Sequence, residues 1–426
     1  MTSLQRFTTA ARKSRNPAAG VCWACATRAY TKYVIKENDI VVLKKSTSDD
    51  RIEPILSKPL KYGTNVKTPV GSIPADEIIG KSWRDVVVKS KGKKETAYRI
   101  LQPSMGQFVE LYPRIVTPIY PRDANLIVSL LDLHPTAPNE ANEDDRLEIF
   151  EAGTGHGGLT LHLAKAIHAA NTAAPPIPPR RQAEAVTPPV TENDIDAVAP
   201  PKSIEQIEAE QADATEEAYK NWMHKRRAVI HTLDAAEAHS LHAQRVVRNF
   251  RDGIYFPHVD FHVGGIPEYL TSRLADTKEA FLEHAILDLP SIHDYLEIVG
   301  KALRPNGILI TFCPSITQVL SCVHEVKDKK LPFLLEKVLE TGISAGVGGR
   351  EWDVRTVRPK ALVKAEVAAR EQLGDVDESL DSLDEDAQAD AEPATESSRG
   401  WEAVCRPKVA ARVTGGGFVG VWRRME

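Results

Sequence analysis

Apolar positions along this chain follow two periods. Between Val34 and about Ile115 they come as short branched runs, Ile40-Val41-Val42-Leu43 and Asp85-Val86-Val87-Val88, divided by Gly63, Pro69, Gly71, Pro74 and Gly80. That pattern predicts strands and turns, hence a small β-barrel or sandwich over 34–115. A connecting segment, Ile115 to Asp123, then opens a helix through Leu126, Ile127, Leu130 and Leu131. Beyond it, apolar strands alternate with stretches of helical spacing. Leu147–Phe150 leads to Leu161, Leu163, Ala164 and Ile167, and Ala228–Asp234 leads to Ala238, Leu241, Val246 and Phe250. Val259–Val263 and Ala285–Leu289 follow, then a helix through Tyr295, Ile298 and Leu303, the strand Gly307–Phe312, and a closing strand Gly417–Trp422. Strands alternating with helices predict an α/β fold with a doubly wound parallel sheet over 116–364 and 399–426.

Two tracts interrupt the pattern. Residues 171–211 carry Pro175-Pro176, Pro178-Pro179, Pro188-Pro189 and Pro200-Pro201 and then an acidic stretch. Residues 365–398 carry Asp375, Asp377, Glu378, Asp381, Asp384, Glu385, Asp386 and Asp390. Neither composition buries enough apolar surface to offset the entropy of ordering, so both are expected to be flexible insertions. They change the reading of charge. The total is −5, from 54 Lys+Arg against 59 Asp+Glu, which alone argues against a polyanionic partner. With so much acid gathered in the tracts, that balance is misleading.

The start of the chain differs again. Arg6, Arg12, Lys13, Arg15, Arg28, Lys32 and Lys36 precede the first acid, Glu37, with Ser, Thr and Ala between them. This is the composition of a mitochondrial transit peptide over 1–33, so the matrix is the expected location; the alternative is a disordered basic tail. Five cysteines, Cys22, Cys25, Cys313, Cys322 and Cys405, are too scattered for a disulfide framework, and Cys22-x-x-Cys25 has no second pair to complete a metal site. No apolar run is long enough to cross a bilayer.

The chemistry concentrates at the strand ends. Leu147 to Ala152 runs through Glu151 into Gly153-Thr154-Gly155-His156-Gly157-Gly158, and a helix follows. A turn so poor in side chains lets a ligand lie close over the strand end, although it also suits tight strand–helix packing. Glu-x-Gly-x-Gly-x-Gly in that place is the form usual for S-adenosylmethionine (SAM) binding rather than for nicotinamide dinucleotides. Parallel strands deliver Glu151, Asp234 and Asp288 to one edge. Asp234 suits a ribose diol, since one carboxylate accepts from both hydroxyls. Asp288-Leu289-Pro290-Ser291 resembles the Asn/Asp-Pro-Pro-Tyr/Phe signature of amino-group methyltransferases. There a carboxylate orients an exocyclic amine and stabilises a base that becomes cationic. A helix cap is the plain alternative for Asp288.

Several segments together resemble the catalytic subunits of tRNA (adenine-58-N1)-methyltransferases. They are Tyr98-Arg99-Ile100-Leu101-Gln102-Pro103-Ser104, Ile119-Tyr120-Pro121-Arg122-Asp123, the Glu151 to Thr160 loop, Ile286 to Ser291, Phe312 to Val319, and Trp352-Asp353-Val354-Arg355-Thr356. The resemblance implies a Rossmann-like SAM-methyltransferase sheet and a tRNA substrate. It also implies either a homo-oligomer (tetramer) or a hetero-oligomer with a paralogous tRNA-binding subunit, the nuclear form being the alternative location. It implies cofactor contacts at Ile119, His156, Gly157, Gly158 and Asp234, which join Glu151, Gly153 and Gly155 of the loop pattern, a catalytic Asp288 that also borders the cofactor, and substrate contacts at Arg355 and Thr356. Two positions depart from the family pattern. His239 stands where Arg or Lys is usual, and Gly264-Gly265 replaces the acid that meets the adenine amine, leaving the backbone at Gly265 for that contact. The other readings are a non-catalytic tRNA-binding subunit with a decayed site and a methyltransferase acting on protein.

Overall fold

The computed structural model describes residues 34–46, 53–91, 94–137, 146–176, 178, 204–342, 352–357, 402–407 and 416–425. The basic start, Cys22, Cys25, Lys93, the centre of the proline-rich tract and the acidic tract lie outside them. The N-terminal strands are β1 (Val42–Lys45), β2 (Ile55–Leu56), β3 (Asn65–Thr68), β4 (Gly71–Pro74), β5 (Val86–Lys91) and β6 (Lys94–Leu101). They form an antiparallel four-stranded sheet, ordered β2-β1-β6-β5, and a separate β3–β4 hairpin. The expected barrel does not close among the described residues. Val41, Leu43, Val87, Tyr98 and Ile100 pack instead against Leu60, Val66, Ile73 and Ile78. The hairpin and its following turn thus cover the apolar face, and no strand closure is needed to do so.

Helix α1 (Met105–Leu111) begins with a reciprocal capping box between Ser104 and Gln107, and α2 (Pro121–Leu130) begins with Pro121 where its missing N–H costs nothing. The larger unit then runs β7 (Leu147–Ala152), α3 (Gly158–Ile167), α4 (Ile204–His224), β8 (Ala228–Asp234), α5 (Glu237–Asn249), β9 (Val259–Val263), α6 (Ile266–Thr277) and β10 (Leu282–Leu287). It continues with α7 (Leu296–Ala302), β11 (Leu303–Cys313), α8 (Ile316–Asp328), β12 (Phe333–Glu340), a β13 (Trp352–Val357) and β14 (Glu402–Pro407) ribbon, and β15 (Phe418–Arg424). Seven strands make one sheet in the order β12-β15-β11-β10-β7-β8-β9. Pairings from β11 through β9 are parallel, and β15 is antiparallel to both its neighbours. Helices cover both faces. Ile149, Ile230, Ile286 and Ile310 pack under α2, α3 and α5, while Phe150, Leu233, Leu287 and Leu309 pack under α6, α7 and α8. This is the expected doubly wound sheet. Its direction of winding reverses between β7 and β10, which puts a ligand crevice at their C-terminal ends.

One boundary moves. The acidic end of the tract expected to be flexible is helical from Ile204. Its far end is anchored: Trp222 is buried, packs with its ring tilted against His258 and donates its indole N–H to Thr172 Oγ1 at 3.0 Å. Asn171, also buried, accepts from the backbone N–H groups of Arg227 and Ala228 at 2.7 and 3.0 Å and donates to the Ala228 carbonyl. Both ends of the insertion are therefore stapled to the start of β8. Replacing residues 179–203 with a short Gly/Ser linker should leave the melting temperature unchanged, because loop length contributes only weakly to stability. Asn171→Ala should lower it, since two buried N–H groups lose their acceptor at a cost of about 1–3 kcal/mol. Thermal unfolding of the two variants checks both.

Candidate active site

The crevice is built from four loops that converge on the reversal point. Gly153 has φ +94°, and a Cβ there would lie 2.0 Å from the carbonyl oxygen of Asp288. The Asp288 N–H donates to Ala152 O and the Gly153 N–H to Leu233 O, each at 2.9 Å. The glycine loop and the Asp288 turn are thus locked together by backbone, and only glycine fits between them. Gly158 leads α3, whose N-terminus has no side-chain cap. Its first N–H groups are left for a ligand's negative end. Beside it, the Ile119 carbonyl oxygen lies 3.4 Å from where a Gly158 Cβ would be. That places Ile119 against the loop.

Other loop residues face elsewhere. The His156 side chain is buried, 3.1 Å from His242 through its Nδ1 and edge-on to Tyr112. Burial and the His242 ring push its pKa down to about 4, so it is a neutral packing group, and only its backbone remains for a cofactor. Gly157, at φ +81°, would place a Cβ 2.9 Å from the Ala243 Cβ. Its glycine is required by the approach of α5. Tight packing therefore accounts for Gly157, as the contact with the Asp288 backbone does for Gly153.

Three carboxylates share the crevice, each in a different state. Glu151 is fully buried; Thr160 donates to its Oε2 at 2.6 Å, and Thr232 is a second hydroxyl partner. Burial outweighs these bonds and, with the charges of Asp288 and Asp234, pushes the Glu151 carboxyl up to about 7. Asp234 accepts from the N–H groups of Gly155 and Ala236, both at 2.9 Å, and from His239 Nδ1 at 3.2 Å. A carboxylate has about four acceptor sites, so holding a diol here requires one protein donor to give way. Asp234 clamps the loop before any ligand arrives. His239, the departure from Arg or Lys, completes that clamp.

Asp288 is the unusual one. Its carboxylate meets no donor among the described residues, and burial alone pushes its pKa up to about 6. It is not a helix cap, because Ser291 occupies the position before the following 3-10 turn. No Lys or Arg forms an ion pair with Glu151, Asp234 or Asp288 among the described residues. Three acids without such a cation disfavour a dinucleotide pyrophosphate and suit a ligand that carries positive charge. No cluster of metal-ligating side chains occurs among the described residues. Arg355 and Thr356 stand opposite Val404 and Ala403 in the β13–β14 ribbon; the structure describes their register only.

Over 285 residues, 67% of this chain and 78% of the relative, the sequence is 28% identical to the tRNA (adenine(58)-N(1))-methyltransferase TrmI of Thermus thermophilus, and the same holds for the enzyme of a second strain of that organism. The chain is a homologue of these tRNA methyltransferases. No protein-family model matches it. Among solved structures, the SAM-dependent O-methyltransferase of Thermotoga maritima superposes with a TM-score of 0.51 at 15% identity, covering 93% of this chain and 96% of the other, so the sheet is a Rossmann-like SAM-methyltransferase fold.

In this tRNA-methyltransferase homologue, the Gly264-Gly265 departure has a structural counterpart. Gly265 precedes α6, and a Cβ there would lie 2.0 Å from Glu268 Oε2. The carboxylate of Glu268 thus occupies the space that a side chain at 265 would fill, supplied from one turn along the helix. Sequence reading missed it, although a glutamate three residues after a helix start is a recognisable signal. It missed Thr160 and Thr232 as the partners of Glu151 as well.

Proposed function

We propose that this protein transfers a methyl group from SAM to N1 of adenine 58 in tRNA. The observation that carries the reading is Asp288: a half-buried carboxylate without a donor among the described residues, backbone-locked to the glycine loop at the sheet's reversal point. When bound, SAM supplies a methyl group activated by its sulfonium charge. The uncapped start of α3 receives the cofactor's carboxylate, Ile119 and the glycine loop enclose it, and Asp234 offers its remaining acceptor capacity to the ribose. Asp288 accepts from the N6 amine of an adenine turned out of the folded RNA, which aims N1 at the methyl group. Its negative charge then offsets the positive charge arising on the ring. Arg99, Arg114 and Arg122 are exposed; Arg122 belongs to the 119–123 segment, and Arg114, which donates to the Glu110 carbonyl and the Tyr120 hydroxyl at 3.0 and 3.3 Å, stands against it. These cations suit the phosphates of the RNA, as Lys89 of β5 does. Incubation of the full-length chain with labelled SAM and unmodified tRNA, followed by nucleoside analysis, tests the reading. It expects 1-methyladenosine at position 58; label in protein, or none at all, would overturn it.

Glu268 takes the cofactor's adenine amine in this proposal. Glu268→Ala should weaken SAM binding about tenfold, the worth of one hydrogen bond to a charged group, and leave tRNA affinity unchanged. Calorimetry checks it, and unaltered SAM affinity would reduce Glu268 to a helix-start residue. The basic composition of the first residues supports import into the mitochondrial matrix. A reporter fused to residues 1–36 should be imported, and changing Arg6, Arg12, Lys13 and Arg15 to Glu should stop the import.

A further inference from the structure

Glu151 lies under the cofactor crevice in surroundings that leave its charge unsettled. It is 1% exposed, on the β7 face turned toward α3. Among the described residues, every bond to it comes from a neutral hydroxyl. Thr160 of α3 donates directly at 2.6 Å. Thr232 of β8 is the second partner, and the Thr154 and Thr232 oxygens lie 2.6 Å apart, so that donation from Thr154 to Thr232 frees Thr232 to donate to Glu151. The charged groups that face it are Asp234 at the end of β8 and Asp288 at the end of β10, both of its own sign. The nearest basic side chain in the hydrogen-bond network, His239 of α5, lies against Asp234. A buried carboxyl with two acidic neighbours and only hydroxyl donors stays ionised at a cost, and the missing element is a positive charge.

Building on the proposed SAM chemistry, we infer that Glu151 makes the crevice distinguish the cationic cofactor from its neutral by-product, S-adenosylhomocysteine (SAH), by binding SAM with release of the Glu151 proton and retaining that proton with SAH. The sulfonium of SAM supplies the absent counter-charge and favours the ionised carboxyl; the thioether of SAH does not. Methyl transfer itself moves no proton. The N1 lone pair forms the new N–C bond, the S–C pair returns to sulfur, and the positive charge passes to the base and leaves with the tRNA. Three carboxylates then face a neutral ligand, and reprotonation of Glu151 relieves them while SAH departs. That the carboxyl is poised near neutral pH follows from the burial already described, with its pKa near 7.

The measurement is calorimetric titration of the full-length chain with SAM and with SAH, in buffers of differing ionisation heat. The expected result is net proton release near neutral pH with SAM beyond that with SAH. The preference for SAM over SAH should rise about tenfold between roughly pH 6 and pH 8, the change in the ionised fraction of a group that titrates midway. Glu151→Gln should abolish that difference and flatten the preference. Comparison with the parent also separates the carboxyl from the ligands' own amino groups. Thr160→Val, which removes a bond favouring the ionised form but keeps the volume, should move the whole transition to higher pH. Equal proton release by both ligands, or release that survives Glu151→Gln and vanishes in Asp288→Asn, would overturn the inference while the proposed function stands. Failure to bind SAM at all would overturn both.

Discussion

Asp288→Asn should lower kcat by roughly a hundredfold or more, on the order of 3 kcal/mol of lost transition-state stabilisation, with a much smaller change in tRNA affinity. The amide keeps the size of the side chain but removes the charge that offsets the cationic base, and it can present an N–H to an amine that needs an acceptor. The substitution should not damage the fold. No side-chain hydrogen bond is lost, because the described residues offer the Asp288 carboxylate no donor, and a buried charge is removed. The direction of the stability change is a further check. Burial raises the folded pKa of Asp288 to about 6 from its ordinary value of 3.8. Its contribution to stability is therefore fully present below the unfolded value and lost as pH rises through about 6. At neutral pH the ionised group costs stability, so Asp288→Asn should melt at an equal or higher temperature than the parent. Parent kcat/KM should fall as pH drops through about 6 and the carboxylate is protonated; the variant should lack that limb. Near-parent activity combined with a lowered melting temperature would make Asp288 a structural residue.

Burial on both faces made much of the sheet readable from the chain. The run Ala228 to Leu233 is apolar apart from His231 and Thr232, because parallel inner strands face helices on either side, and its structural bounds, Ala228–Asp234, are those expected. Strand β12 was not foreseen, since an edge strand with Glu336, Lys337 and Glu340 toward water has no continuous apolar signal. Helix α4 was hidden by averaging. Its composition is acidic like the tract before it, and its anchoring depends on a few contacts around Trp222. At the site, the sequence marks which residues reach the crevice edge because strand ends fix their position. It cannot show direction or competition. His156 sits in the loop but turns toward His242, Asp234 is engaged by the loop it was expected to serve, and Gly157 answers to Ala243 across the gap. Each of those outcomes depends on an element distant in sequence.

Gly153→Ala should be the most damaging glycine-to-alanine change among the described residues. At φ +94° an L-residue is already strained, and the new Cβ would overlap the Asp288 carbonyl oxygen at 2.0 Å and crowd its carbon at 2.9 Å. Neither backbone can yield easily: Gly153 is bonded to Leu233 on one side, and Asp288 to Ala152 on the other. The clash therefore has to be relieved by parting the ends of β7 and β10, at a cost of about 3–5 kcal/mol. For a unit of this size that corresponds to a fall in melting temperature of roughly 10 °C or more. Methyl transfer should disappear even in the fraction that stays folded, because the same displacement moves Asp288 away from the glycine loop. Gly155→Ala supplies the contrast. Its φ of +49° lies in the left-handed region that other residues visit, and its Cβ would meet the Val116 side chain at 3.3 Å and the Gly153 carbonyl oxygen at an ordinary 3.8 Å, so about 1 kcal/mol is expected. Thermal melts and methyl transfer measured on both variants decide the matter. If Gly155→Ala proves the more harmful, the backbone lock between Gly153 and Asp288 does not hold the site together.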